Sequence, residues 1–374
     1  MKIGIYTLPL HTNYGGILQA YALQTVLKKM GYEAWLLDRK RNFSLPLKER
    51  LKAYIKRAIR KYIFLKKGIV IFLEKKQKRE FEIISVNTQK FIEEYIQPSL
   101  PIYNVDQIPK DFFDVIIVGS DQIWRPRYNF PKIENAFLDF TKGWEFPVKR
   151  ISYAASFGTS KWEYDKTKTK RCKELIQKFN AVSVREESGV ALCKNNFDVE
   201  AQLVLDPTML LDVSEYIQIA EKCTKDFAGD LFVYILDNNE ASGNILNKVI
   251  RYTGYNPFYT STDNHNASLE KRIATPVEEW LKSFLVAKYV VTDSFHACVF
   301  SILFNKPFFA IGNSLRGLSR FHSLLSLFKI EDRLLLDGET EELGDIGNEI
   351  DWASVNKLLE KYKNISLDFL SKAV

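Results

Sequence analysis

An α/β protein made of two Rossmann-like domains, each on a parallel sheet, is what three features of this 374-residue sequence predict. Short apolar runs alternate with helical patterns at both ends of the chain, the signature of parallel α/β units. The length exceeds what one hydrophobic core ordinarily serves. The two series are separated by a break near Asp206-Pro207, followed by a helical connector at Val213-Cys223. The predicted division is 1–212 and 213–374, the first part carrying a basic helical insertion at about 45–95 and the second a terminal helix.

In the first series Lys2-Tyr6 is a strand and Gly16-Met30 a helix, with Leu18, Tyr21, Ala22, Thr25 and Val26 near one face. Strands follow at Glu33-Leu37, Asp114-Val118, Arg150-Ala155, Ala181-Val184 and Gln202-Leu205. The second series has strands at Leu231-Leu236, Pro257-Thr260, Tyr289-Thr292 and Pro307-Ile311. Its helices fall at about 241–253, 276–286, 295–304 and 316–328, and a last helix, Trp352-Lys363, is placed to pack back across the domains. Two open parallel sheets imply a cleft, with ligands at the carboxyl ends of the strands.

Composition excludes several classes. The chain is 46% apolar and 13% aromatic, which argues against disorder. No apolar run approaches the roughly 18 to 20 residues that span a bilayer, and the start, Met1-Lys2-Ile3-Gly4-Ile5-Tyr6, reads as a buried strand rather than a signal peptide. Four scattered cysteines (Cys172, Cys193, Cys223, Cys298) show no metal or disulfide spacing, so a reducing cytoplasm is the plain expectation. The net charge is +7, but Lys48-Arg79 holds thirteen Lys and Arg against two Glu, +11, leaving −4 on the remainder. That is a local basic surface, not a nucleic-acid-binding protein. Leu51, Ile55, Ile59 and Ile63 recur at helical spacing inside it, so the segment is either a solvated helix or a peripheral contact with anionic lipid at the inner membrane face.

Four strand ends carry chemistry. After the first strand comes His11-Thr12-Asn13-Tyr14-Gly15-Gly16, where Asn13, Gly15 and Gly16 can bring backbone amides to an anion at a helix start. The pattern is neither a dinucleotide fingerprint nor a P-loop. After DVIIV come Ser120, Asp121, Gln122 and Trp124, which could hydrogen-bond sugar hydroxyls and stack on a ring, or equally cap a helix and fill the core. Ala181-Val184 delivers Arg185, able to grip a carboxylate or phosphate, or to pair with an acid. The sharpest is Thr292-Asp293-Ser294-Phe295-His296, a polar elbow between apolar strand and helix, with His296 in the first helical turn. Beyond the next strand, Gly312-Asn313 and Arg316 add donors to the same rim.

NYGGILQAYALQ, DVIIVGSDQIW, ISYAASFG, SVREESG, VLDPTMLL and TDSFHACVFSILFNKPFFAIG, in this order over residues 3 to 316, resemble the polysaccharide pyruvyl transferase family. The resemblance implies a fold similar to GT-B glycosyltransferases. It also implies transfer of pyruvyl from phosphoenolpyruvate, a co-substrate rather than a cofactor, to a glycan, with ketal formation and phosphate release. Arg185 then matches a donor-binding arginine and His296 a catalytic histidine, with Asp293 or Asp121 as its partner and Ser294 among the donor-binding residues. Many members have arginine two residues before that histidine; here Ser294 stands there, and Arg316, Arg125 or Arg127 is the expected replacement. No step requires a metal, and no metal-ligand cluster is offered. A nucleotide-sugar glycosyltransferase of the same fold class, or a glycan-binding protein, is the alternative.

Overall fold

The computed structural model describes residues 1–374 apart from 44, 46, 130–131, 238, 261–266, 313–316 and 337–348. Seven strands, β1 (Lys2–Tyr6), β2 (Glu33–Arg39), β3 (Ser99–Ile102), β4 (Val115–Val118), β5 (Lys149–Ala155), β6 (Ala181–Val184) and β7 (Gln202–Leu203), form one sheet in the order 3-2-1-4-5-6-7. A second sheet holds β8 (Leu231–Tyr234), β9 (Pro257–Tyr259), β10 (Tyr289–Thr292), β11 (Phe308–Gly312) and β12 (Leu334–Leu336) in the order 12-11-10-8-9. Each strand pairing described is parallel. Strands β4 and β10 are buried from end to end, as strands covered on both faces must be. The predicted α/β architecture of two Rossmann-like domains is borne out. Sequence reading missed β3 and β12, because Pro101 interrupts one and the other is only three half-buried residues at an edge.

The helices are α1 (Tyr14–Lys29), α2 (Leu47–Tyr62), α3 (Leu73–Ile84), α4 (Val86–Tyr95), α5 (Lys166–Ile176), α6 (Glu187–Phe197) and α7 (Val213–Ala220). They continue with α8 (Glu240–Thr253), α9 (Val277–Val286), α10 (Phe295–Leu303), α11 (Leu318–Phe328) and α12 (Trp352–Ala373). Among the described residues no helix is long and apolar enough to cross a membrane. The most buried, α1 and α10, join the domains: one apolar core runs from Ile3 and Ile5 through Leu18 and Leu23 to Val290 and Phe300. Tyr14 of α1 stacks on Trp280 of α9 at 5.1 Å and donates through Oη to the Thr275 carbonyl at 2.8 Å. Helix α12 runs to Ala373, beyond the predicted Lys363, because its second half packs on the first sheet. Phe369 meets Tyr153, and Ser366 Oγ accepts from the Leu205 amide at 2.9 Å.

The strand order reverses between β1 and β4 in one sheet and between β8 and β10 in the other. Crossovers leave such a point toward opposite faces, so a crevice opens at the carboxyl ends of those strands. The basic insertion reaches the same region. Helix α2 buries no residue and is tied to α3 by Arg57 Nη1, which donates to Glu74 Oε2 at 2.7 Å. At the α3–α4 junction the Ala274 amide donates to the Ile84 carbonyl at 2.9 Å, linking insertion and second domain.

Candidate active site

A cavity of about 600 Å³ lies between the two switch points. The first domain contributes Thr12, Asn13, Tyr14, Gly15, Asp121, Gln122, Arg127 and Tyr128. Across from them stand Tyr234, Leu236, Asp237, Arg272, Trp280, Asp293, Ser294, Phe295, His296 and Arg320. The sequence-derived loops after β1, β4 and β10 therefore converge, as strand ends at a switch point should.

The elbow before His296 is built from local hydrogen bonds. Thr292 Oγ1 donates to the Tyr234 carbonyl at 2.6 Å and accepts from the Ser294 amide at 3.0 Å. Ser294 caps α10, its Oγ accepting from the Ala297 amide at 3.5 Å. Asp293 accepts from the Leu236 and Asp237 amides at 2.7 and 2.8 Å, clasping the loops after β8 and β10 together. Asp293 is therefore not the carboxylate that orients His296, contrary to the sequence expectation, because backbone amides of the β8 loop claim both its oxygens.

That carboxylate is Asp206. His296 Nε2 lies 3.6 Å from Asp206 Oδ2 and 3.4 Å from Arg185 Nη1. On the Nδ1 side the imidazole abuts α1: a Cβ on Gly15 would stand 1.9 Å from Nδ1, so only glycine fits there. Gly16 lies in the same first turn, its amide donating to Asn13 Oδ1 at 3.3 Å. Asp206 Oδ1 accepts from the Thr208 amide at 3.1 Å and from Thr208 Oγ1 at 2.7 Å, and Oδ2 accepts from Ser120 Oγ at 3.1 Å. Burial opposes its ionisation, but the His296 imidazole beside it and the charge of Arg185 outweigh it and hold the carboxyl far below the usual range.

Arg185 stands behind the cavity rather than in its wall. Its side chain is 1% exposed, with Nη1 on Asp206 and Nη2 on Asp121 Oδ1 at 3.0 Å. Burial alone would weaken its charge, yet Asp206, Asp121 and Glu186 strengthen it. The expected direct grip on a ligand is thus corrected: the guanidinium already holds two carboxylates. Asp121 sits at φ 65°, in the left-handed region that side chains rarely adopt, and this backbone turn aims its carboxylate back at Arg185. Burial raises the Asp121 pKa, but Arg185, then His296 and Arg320, bring it below the ordinary value. Asn13 Nδ2 donates to its other oxygen at 3.5 Å.

Two acceptor-binding expectations fail for one reason, burial. Trp124 is fully buried, stacked on Phe137 at 5.2 Å with Nε1 donating to the Ala136 carbonyl, so no sugar can reach it. Ser120 is equally buried and joins Asp206 and Arg185 instead. Gln122 does line the cavity, accepting from Arg125 Nη1 at 3.0 Å. Arg125 is locked in a two-point pair with Glu163 at 3.0 and 2.8 Å and cannot replace the arginine missing at Ser294. Arg316 lies outside the described residues. Arg127 lines the cavity and is exposed.

Sequence reading also missed Arg272, Arg320 and Tyr128 in the wall. Arg320 is buried, and burial followed by repulsion from Arg185 lowers its pKa to about 10. Its guanidinium lies 5.3 Å from the Phe295 ring centroid, and that of Arg185 lies 4.7 Å from it. Asp206 could have been found from the strand-end pattern in VLDPTMLL; Arg320, inside α11, carries no local signal. Among the described residues no group of three or more His, Cys, Asp or Glu could hold a metal ion.

The family model that matches this chain is that of polysaccharide pyruvyl transferase, over residues 13–314. No curated protein sequence matches it. Among solved structures, a glycosyltransferase from Rickettsia africae ESF-5 superposes with a TM-score of 0.53 at 8% identity, covering 99% of this chain and 97% of its own. The UDP-GlcNAc 2-epimerase of Methanocaldococcus jannaschii, in complex with UDP-GlcNAc and UDP, gives a TM-score of 0.44 at 13% identity, covering 97% and 93%. The fold is of the GT-B glycosyltransferase kind.

Proposed function

We propose, since the chain belongs to the polysaccharide pyruvyl transferase family, that it moves the pyruvyl group of phosphoenolpyruvate onto two hydroxyls of a glycan sugar as a cyclic ketal. The observation that carries this reading is His296, in the cavity wall with an ionised Asp206 behind it and Arg320, Arg272 and Arg127 lining the same space. A first hydroxyl adds to C2 of the donor while C3 takes a proton and becomes a methyl group. Phosphate then leaves C2, and the second hydroxyl closes the ring and gives up its proton. His296 relays protons in this sequence, and Asp206 stabilises the imidazolium it passes through. Arg272 and Arg320 match the phosphate and carboxylate of the donor, and Tyr128, 44% exposed, offers a face for the sugar. The test is incubation of purified protein with phosphoenolpyruvate and a panel of lipid-linked glycans, reading phosphate release and acceptor mass. Phosphate release matched by ketal formation is expected. Turnover of a nucleotide sugar with the donor untouched would instead make the chain a glycosyltransferase, and neither reaction would leave a glycan-binding protein.

The acceptor is placed on a lipid carrier, with the enzyme held peripherally at an anionic, cytoplasm-facing membrane surface through α2. Leu51, Ile55 and Ile59 are 53%, 60% and 39% exposed along one stripe, beside Lys52, Lys56 and Arg60. Each basic residue near anionic lipid is worth about 1 kcal/mol. Co-sedimentation with anionic vesicles should fall when Lys52, Lys56, Arg60 and Lys61 become Gln, a set that spares the Arg57–Glu74 tie. Equal binding by both proteins would return α2 to solvent.

A further inference from the structure

A second cavity, of about 580 Å³, adjoins the first, and the two share Asn13, Asp121, Gln122, Arg127 and Tyr128. Its remaining wall comes from the loop after β1, from Gly16 of α1, from Arg39 and Arg41 at and just beyond the end of β2, and from Phe81 of α3. Arg39 Nη1 donates to the Thr7 carbonyl at 3.2 Å and to Asn129 Oδ1 at 3.1 Å, with the guanidinium 4.7 Å from the Tyr6 ring centroid. Arg41 lies 5.1 Å from the Phe43 ring centroid, and Arg127 Nη2 donates to Tyr128 Oη at 2.8 Å. Among the described residues none of the three arginines is paired with a carboxylate, and the one acid in this wall, Asp121, is already held by Arg185.

Three like charges around one recess repel each other unless an anion sits among them. Guanidinium forks suit phosphate oxygens, and Phe81 and Tyr128 give the recess aromatic faces. The arginines that line only the first cavity, Arg272 and Arg320, remain for the donor. We infer that the second cavity binds the phosphoryl end of the acceptor, a sugar carrying a phosphate or diphosphate ester, so that the sugar crosses the shared wall at Tyr128 toward His296. The word acceptor rests on the reaction proposed above; binding of the phosphoryl group does not.

The test separates the two. Calorimetry on the full chain, without phosphoenolpyruvate, compares a disaccharide linked through diphosphate to a short alkyl chain, the same disaccharide as a neutral alkyl glycoside, its UDP-linked form, and inorganic diphosphate. The alkyl diphosphate glycan should bind at least tenfold tighter than the neutral glycoside, and less tightly as salt rises. Arg39→Gln with Arg41→Gln should remove that advantage, raising KM for the diphosphate acceptor tenfold or more without a matching rise for the neutral one. Because Arg39 supports the Thr7 loop, Arg41→Gln alone serves as the second variant, with circular dichroism as the folding control. Equal affinity for charged and neutral glycans, or an undiminished advantage in Arg41→Gln, would overturn the site. UDP-linked sugar binding best would keep the diphosphate chemistry and assign it to a nucleotide; inorganic diphosphate binding as well as the glycan would overturn recognition of an acceptor. Arginine-dependent glycan binding with no phosphate released from the donor would leave the site standing and remove the transferase reading.

Discussion

Asp121 and Asp293 each follow an apolar strand at a switch point, one in each domain, yet the fold uses them differently. Asp121 turns back through a left-handed backbone to meet Arg185, so the first domain presents a buried charged cluster to the cleft. Asp293 meets the bare amides after β8, so the second domain presents a firmly tied elbow that carries His296. A strand-end carboxylate takes its role from what stands across from it: a guanidinium delivered by β6 in one domain, loop backbone in the other. The histidine draws on both halves, positioned by the second domain and charge-matched by the first.

The comparison breaks most severely at the histidine. His296→Ala should lower the transfer rate about 10²- to 10⁴-fold with the melting transition retained. Near wild-type turnover in steady-state assays would remove it from the chemistry.

Next comes the first-domain cluster. Arg185→Ala leaves Asp121 and Asp206 buried without their cation, which should cost about 3–5 kcal/mol in urea unfolding. Because Arg185 does not line the cavity, kcat should fall more than KM for the donor rises; the reverse split would restore the direct grip. The pH dependence has a definite sign. In the wild type the depressed Asp206 carboxyl contributes stability above its unfolded value, about 3.9, and loses it as pH falls through the lower folded value. In the variant, protonation relieves the stranded carboxylates, so the stability gap should narrow as pH falls; a widening gap would contradict the cluster.

A paired substitution sharpens the contrast between the aspartates. Asp293→Asn exchanges one acceptor for a donor facing an amide, costing about 1–3 kcal/mol in thermal unfolding with a modest effect on kcat. Asp121→Asn should depress kcat more than it depresses the melting temperature. Identical profiles for the two would mean the domains do not differ as described. The smallest kinetic effect belongs to Trp124→Phe, where acceptor KM should stay within about twofold because the indole lies wholly in the core. A tenfold rise would return Trp124 to the acceptor site.

Much of the fold could be read from the residues in order. Apolar runs such as Val115–Val118 and Tyr289–Thr292 declare buried parallel strands, and polar residues at their ends declare where a cleft will lie. His296 was legible for the same reason, since strand, cap and first helical turn are consecutive. Two of the edge strands were not, because β3 and β12 acquire their identity from pairing rather than from their own burial.

What the sequence determined by itself was everything set by neighbours along the chain: the alternation of strand and helix, the elbow at Thr292–His296, and the basic stripe of α2. What only the tertiary structure decided was everything set by neighbours across it. Asp206 displaced Asp293 as the partner of His296, Arg185 withdrew behind two carboxylates, Trp124 went to the core and Arg320 entered the cleft from a distant helix. The physical reason is that helices and strands follow from local backbone and burial preferences, whereas charge pairing and exposure depend on residues brought together over separations of 21, 111 and more positions.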